Sequence, residues 1–370
     1  MPAEVTIGIV TAVPVEHAAL REALDHAHDH RAAGDPKTYR VGDIPSSVRG
    51  RPHRVVTTLQ TRDGTRDAAA SVTNLIRSFP SLRTILMCGI AAGVPAGGVR
   101  LGDIVSATDG IVDYAHLRAT DEGLSLRRAP GDVSASFLDA DHKLAQEELH
   151  ERRPWTTVLT ELEREHAAFR RPPGAGTPTV HRGAFGSSDV LLRDAKLRDD
   201  LARRHRVVAF EMEASGLAAA ARMHGREWYL VKGVSDLADR NKDDRYHGFA
   251  AAASAAYLHA LLGVMTPEPS RTGRPGGTAS LSRVLEVMLD IATIQAEHDR
   301  QRLIHELPSH LRAGIPYSPT PRIHFLSIIR ACQDYPEGRD ALLDALGMML
   351  GPGSPAFDRV SQVIEENWAA

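Results

Sequence analysis

Between Val5 and about Met265, short apolar runs alternate with alanine-rich stretches of helical period. That alternation leaves the chain few architectures. The runs include Ile7-Gly8-Ile9-Val10, Thr84-Ile85-Leu86-Met87-Cys88, Ile104-Val105, Val207-Val208-Ala209-Phe210 and Trp228-Tyr229-Leu230-Val231. Strands separated by helices rather than by tight turns are joined by crossovers, which place neighbours in parallel. The expected fold is therefore α/β, a mostly parallel mixed sheet flanked by helices. Residues 124–179 interrupt the rhythm with a polar, Arg/Glu-rich elaboration holding helical stretches at 141–151 and 156–169.

A Pro/Gly/Thr-rich segment, 266–279, reads as a linker between a domain at 1–265 and a second at 280–370. The second domain carries amphipathic helical patterns at 281–292, 301–307, 323–331, 338–350 and 356–366, enough for an all-α helical bundle.

Composition excludes several classes. Hydrophobic residues at 42% and charged residues at 25% fit a soluble globular protein. A net charge of -3 gives no basic footprint for nucleic acid. No apolar run is long enough for a bilayer, and no basic-then-apolar leader is visible. Two distant cysteines, Cys88 and Cys332, supply neither a disulfide framework nor a metal spacing, so a reducing cytoplasm is the default expectation. His26, His28 and His30 alternate, but they follow a helical pattern and read as a solvated helix end rather than a metal site. No cofactor is expected.

Two acidic groups end apolar segments: Glu211 and Glu213 in Phe210-Glu211-Met212-Glu213-Ala214, and Asp236 in Val234-Ser235-Asp236. Carboxylates at strand ends are a common way to build an α/β active site. The competing reading is a helix N-terminus decorated with glutamate, which the helix dipole also favours. Gly89-Ile90-Ala91-Ala92-Gly93, where the third apolar run breaks, lets backbone amides approach a planar ligand.

Five motifs in this order (Ile7-Gly8-Ile9-Val10-Thr11-Ala12 with Glu16; Cys88-Gly89-Ile90-Ala91-Ala92-Gly93; Gly102-Asp103-Ile104-Val105; Phe210-Glu211-Met212-Glu213-Ala214; Val234-Ser235-Asp236) resemble the nucleoside phosphorylase/nucleosidase superfamily. Its closest branch here is the methylthioadenosine/S-adenosylhomocysteine nucleosidases. The resemblance covers about the first 265 residues. It implies cleavage of a purine, most readily adenine, N-glycosidic bond, usually in a homodimer.

By the same resemblance Asp236 is the general acid toward the base, held by Ser235, and burial should keep its proton in place. Glu213 accepts the ribose hydroxyls, and Glu16 orients and deprotonates water. Ala12, Ile90, Ala91, Val190, Leu191, Phe210 and Met212 line the substrate. Phosphorolytic relatives carry arginines where this chain has Glu16 and Met87, so water is the expected nucleophile. Ser188 stands where the family's base-edge loop has glycine. Read singly, Glu16 is an ordinary first-turn glutamate, Asp236 a turn cap and Phe210 a core residue.

The 5′ side stays open. Arg240, Lys242 and Arg245 follow Asp236 and suit nucleotide phosphates, though Asp243 and Asp244 make the same loop read as a solvated mixed-charge segment. The second domain resembles effector-associated domains of bacterial conflict systems. The residues concerned are Arg302-Leu303, Ile328-Ile329-Arg330-Ala331-Cys332 and the run from Pro336 to Leu346. That implies a protein partner; a dimerisation bundle is the alternative. For the whole chain the leading expectation is a purine N-ribosyl hydrolase acting as a conflict-system effector. A non-catalytic nucleotide-sensing module and a phosphorylase are the other two.

Overall fold

A computed structural model of the 370-residue chain describes residues 4–121, 123–126, 133–240, 243–267, 277–312, 315–333, 335 and 337–368. The chain divides into two compact units, Met1–Ser270 and Arg271–Ala370.

The first unit opens with β1 (Ile7–Thr11), α1 (Pro14–Glu22), β2 (Asp25–Arg31), β3 (Thr38–Ile44), β4 (His53–Leu59), α2 (Thr65–Ser78) and β5 (Thr84–Gly93). Next come β6 (Ile104–Ser106), β7 (Ile111–Asp113), the hairpin β8 (Leu117–Thr120) and β9 (Gly123–Leu126), α3 (Ala135–Leu149) and α4 (Trp155–Glu165). It closes with β10 (Val180–Arg182), β11 (Ala184–Ser187), α5 (Ala195–His205), β12 (Val207–Glu211), α6 (Ala214–Met223), β13 (Glu227–Asp236) and α7 (His247–Gly263).

All these strands except the hairpin join one mixed sheet in the order β10-β6-β13-β5-β1-β4-β3-β2, with β12 branching from β5 and β11 and β7 beyond it. The central trio β13, β5 and β1 is parallel. Alternate side chains of these strands feed two cores. Ile9, Leu86, Tyr229 and Val231 pack with α1 and α7; Val10, Ile85, Met87 and Leu230 pack with α2 and α6. Helix α7 is buried almost all round, with alanine at every position from 250 to 256 except Ser254. Gly233 of β13 lies so close to the Ala250 carbonyl that a Cβ there would collide with it.

Three expectations are corrected. Gly89-Ile90-Ala91-Ala92-Gly93 is no break: β5 runs on through it, because β13 pairs alongside as far as Ala92 and β12 joins at Ala92 and Gly93. Those partners satisfy the backbone that glycine and alanine leave bare. His26, His28 and His30 lie on the edge strand β2, not a helix end, and all are at least partly solvated. The helix expected over 141–151 begins earlier, at Ala135, where Phe137, Ala140 and Leu144 supply a buried stripe.

The second unit comprises α8 (Gly277–Asp290), α9 (Glu297–Glu306), α10 (Ser309–Arg312), α11 (Pro321–Gln333), α12 (Gly338–Leu350) and α13 (Pro355–Asn367). Helix α8 starts inside the stretch read as linker, since no proline follows Pro275 until Pro308; residues 268–276 of that stretch lie outside the described residues. Val284, Met288, Leu303, Phe325, Ile328, Leu346 and Val360 form its core. Arg300 is buried there and donates to His324 Nδ1 at 3.2 Å and to the Pro319 carbonyl at 3.0 Å.

Candidate active site

The site grows out of β5 and β13. In α1, Pro14 takes the first helical position, where its missing N–H costs nothing. Glu16 follows two residues later, and its carboxylate folds back over the helix start. Oε2 accepts the Ala12 and Val13 amides at 2.6 and 3.0 Å, and Oε1 accepts the Ile90 amide at 2.6 Å. Gly89 makes the room, for a Cβ at that position would overlap the Glu16 carboxylate. The result is a carboxylate only 2% exposed and held at three points before any ligand arrives.

Glu211 and Glu213 divide two tasks between them. Glu211, at the end of β12, accepts the Glu213 amide at 3.0 Å and the Ala214 amide at 2.9 Å, so it is the glutamate that caps α6. Glu213 is thereby released from capping. Its Oε1 accepts the Gly64 amide at 3.1 Å, and its Oε2 lies 3.7 Å from Lys232 Nζ.

Lys232, from β13, is fully buried, with Nζ also 3.8 Å from Glu16 Oε1. Its ammonium stands between the two carboxylates and makes no hydrogen bond among the described residues. Burial by itself would lower its pKa, but Glu16, Glu213 and Glu211 outweigh this and the net shift is upward. Burial pushes the Glu213 carboxyl up to about 7; Glu211 and Glu16 reinforce the shift, while Lys232 and the Gly64 amide oppose it.

Asp236 closes β13 beyond a bulge at Ser235, where the register against β5 slips. A bulge re-aims the side chains beside it. The Ser235 hydroxyl lies 3.1 Å from Asp236 Oδ2, and the Ala238 amide donates to Oδ1 at 2.9 Å. The turn-cap reading of Asp236 therefore also holds, through the Ala238 amide. Along β5, Glu16 is anchored at Ile90 while Asp236 pairs with Ala92. Their anchor points on β5 are thus two residues of strand apart, roughly 6.5 Å.

Of these groups Glu16, Glu211, Glu213, Ser235 and Asp236 line one pocket of ≈ 500 Å³, the size of small-molecule sites, and Lys232 does not. The structure brings together there Ala12, Glu16, Ile90, Ala91, Val190, Leu191, Phe210, Met212, Glu213, Ser235 and Asp236. Phe210 lies over Gly186, where a Cβ would strike its ring, and meets Tyr114 edge-on at 5.6 Å. Ser188 needs none of glycine's freedom: it is not among the residues with positive φ, and its hydroxyl takes the Val190 amide at 3.3 Å. Met87 is buried in the core away from the pocket.

The basic loop fares differently. Lys242 lies outside the described residues. Arg240 is exposed and Arg245 is held by Asp243 at 2.8 Å; neither lines the pocket. His247, the first residue of α7, does, and among the described residues no arginine does. Sequence reasoning missed Lys232, Asp63, Gly64 and His247. For Lys232 a signal existed, namely a lysine inside an otherwise apolar strand four residues before the acid.

The chain belongs to the phosphorylase superfamily, whose family model matches residues 6–264. Residues 274–365 match Effector-associated domain 2. Among curated relatives, the ATP nucleosidase Cap17 of Escherichia coli is 27% identical over 67% of this chain and 49% of its own length. The 5'-methylthioadenosine/S-adenosylhomocysteine nucleosidase of Mycobacterium bovis is 28% identical over 71% of this chain and 98% of its own. The chain spans between about a third and a half of the length of the first relatives it matches. The solved nucleosidase of Neisseria meningitidis with methylthio-immucillin-A shares the fold at a TM-score of 0.52, with 20% identity, over 70% of this chain and 98% of that one. No helix among the described residues is long and apolar enough to cross a membrane.

Proposed function

We propose that the first unit hydrolyses the N-glycosidic bond of an adenine nucleotide and that the second recruits it into a defence assembly. The observation behind the chemistry is that Glu16 and Glu213, bridged by the buried Lys232, line the same pocket as Asp236. Breaking the bond requires a proton for the departing base, relief for a cationic sugar and a nucleophile on the other side. Asp236 Oδ2 donates to the base, and the Ser235 hydroxyl, which also reaches the Ala91 carbonyl at 3.4 Å, reorients to follow the proton's loss. Glu213 accepts the sugar hydroxyls, and its charge favours the oxocarbenium-like transition state over the neutral ground state. Water sits against Glu16 and loses its proton to it, while Lys232 holds Glu16 and Glu213 in place from within the protein.

Phosphate is disfavoured as nucleophile because the group assigned to the nucleophile's side is Glu16, and no arginine among the described residues lines the pocket. The ATP nucleosidase relative and the match to an effector-associated domain support a nucleotide substrate. His247, at the positive end of α7, is the lining group suited to its phosphates. The exposed apolar residues Val190 and Leu191 at the pocket support a homodimer that covers them.

The test is release of free adenine from ATP, AMP, adenosine, S-adenosylhomocysteine and methylthioadenosine, with and without phosphate. ATP should be cleaved without phosphate stimulation, and Asp236→Asn should lose at least about a hundredfold in turnover. Ribose 1-phosphate among the products would establish phosphorolysis. Ligand binding without turnover would establish a sensor, and activity confined to methylthioadenosine a housekeeping nucleosidase.

A further inference from the structure

The loop from β11 to α5 carries Val190 and Leu191 into the pocket wall, and Asp189 lies immediately before them. Asp189 itself does not line the pocket. Its Oδ1 accepts the Thr65 amide at 2.7 Å and its Oδ2 the Thr65 hydroxyl at 3.1 Å. Helix α2 begins at Thr65 behind Gly64, which has no side chain to cap it. A residue 124 positions further on therefore supplies the cap and meets the positive end of the helix.

The same turn is fixed from behind. Gly216 of α6 lies against the Thr65 carbonyl so closely that a Cβ would overlap it. Gly64 holds φ at +105°, a conformation other residues rarely adopt. Its amide points at Glu213 Oε1, and Asp63, one residue earlier, lines the pocket. The loop over the base and the carboxylate under the sugar thus meet at one three-residue turn, 63–65.

We infer that Asp189 is a positioning residue that latches the base-facing loop to the turn holding Glu213, coupling base recognition to the orientation of the sugar-binding carboxylate. This rests on the hydrolase reading for its kinetic consequences, though not for its effect on binding. Asp189 is exposed and α2 keeps its buried stripe of Ala68, Val72, Leu75 and Ile76, so the fold survives loss of the latch.

Asp189→Ala and Asp189→Asn in the full chain test it, by calorimetric titration with adenine and by kcat and KM across pH. In Asp189→Ala, adenine affinity and kcat should each fall about tenfold, the scale of one charge-assisted hydrogen bond. The acid limb of kcat/KM should move to higher pH, because the Gly64 amide no longer holds the Glu213 pKa down. Asparagine, which keeps one acceptor, should restore most of both losses. Unchanged affinity, turnover and limb would overturn the latch. So would a loss of activity that only tracks a lowered Tm, which would leave Asp189 a simple helix cap. If the wild type binds adenine without turnover, the hydrolase reading fails and the affinity of Asp189→Ala alone decides the latch.

Discussion

The residue with most influence on the site is Lys232. A fully buried ammonium costs desolvation, and what holds it is the pair of carboxylates at 3.7 and 3.8 Å. Removing it leaves buried negative charge uncompensated, which typically costs about 3–5 kcal/mol. Lys232→Met should therefore lower Tm and reduce turnover by at least about a hundredfold. It also has a signature in pH. Glu213 must be ionised to favour a cationic sugar, so wild-type kcat/KM should rise as pH increases through about 7. Lys232 lowers the Glu213 pKa, so its loss should carry that rise to higher pH. A limb at the same pH in both proteins would show that Lys232 does not act through Glu213.

Among elements, the β5–β13 pair sets the spacing of the chemistry. A Cβ at Gly89 of β5 would overlap the Glu16 carboxylate. Gly89→Ala should displace that carboxylate and strain the contact by about 1–3 kcal/mol. Turnover should drop at least about tenfold, while the helical second unit melts as before. Wild-type turnover from Gly89→Ala would mean that Glu16 has room to move and is not the fixed base.

The strands and most helices were legible because burial writes a period into the sequence. That Asp236, Glu213 and Glu16 come together in one pocket was legible through their motifs. The division of labour between Glu211 and Glu213 was not, since both are glutamates near a helix start and only the Gly64 amide, 149 residues away, tells them apart. The extension of β5 through Gly89–Gly93 was hidden for a similar reason: glycine and alanine carry little strand signal, and the partners β12 and β13 come from more than a hundred residues on.

For the whole molecule, every residue lining the pocket falls within Met1–Ser270. A fragment of that unit should keep wild-type kcat on ATP, whereas activity tied to assembly through the second unit should be lost. This is checked by assaying fragment and full chain side by side at several protein concentrations. A fragment that folds, as judged by circular dichroism, but has no activity on any substrate would show that the helical unit contributes to the site itself.

The threefold tethering of Glu16 has a thermodynamic consequence. Its rotamer freedom, on the order of 1.5–2 kcal/mol for a glutamate, was surrendered when the chain folded and is not surrendered again on the way to the transition state. The activation entropy of the hydrolytic step should accordingly lie near zero, with the barrier almost wholly enthalpic. An Eyring plot of single-turnover rates would read it directly.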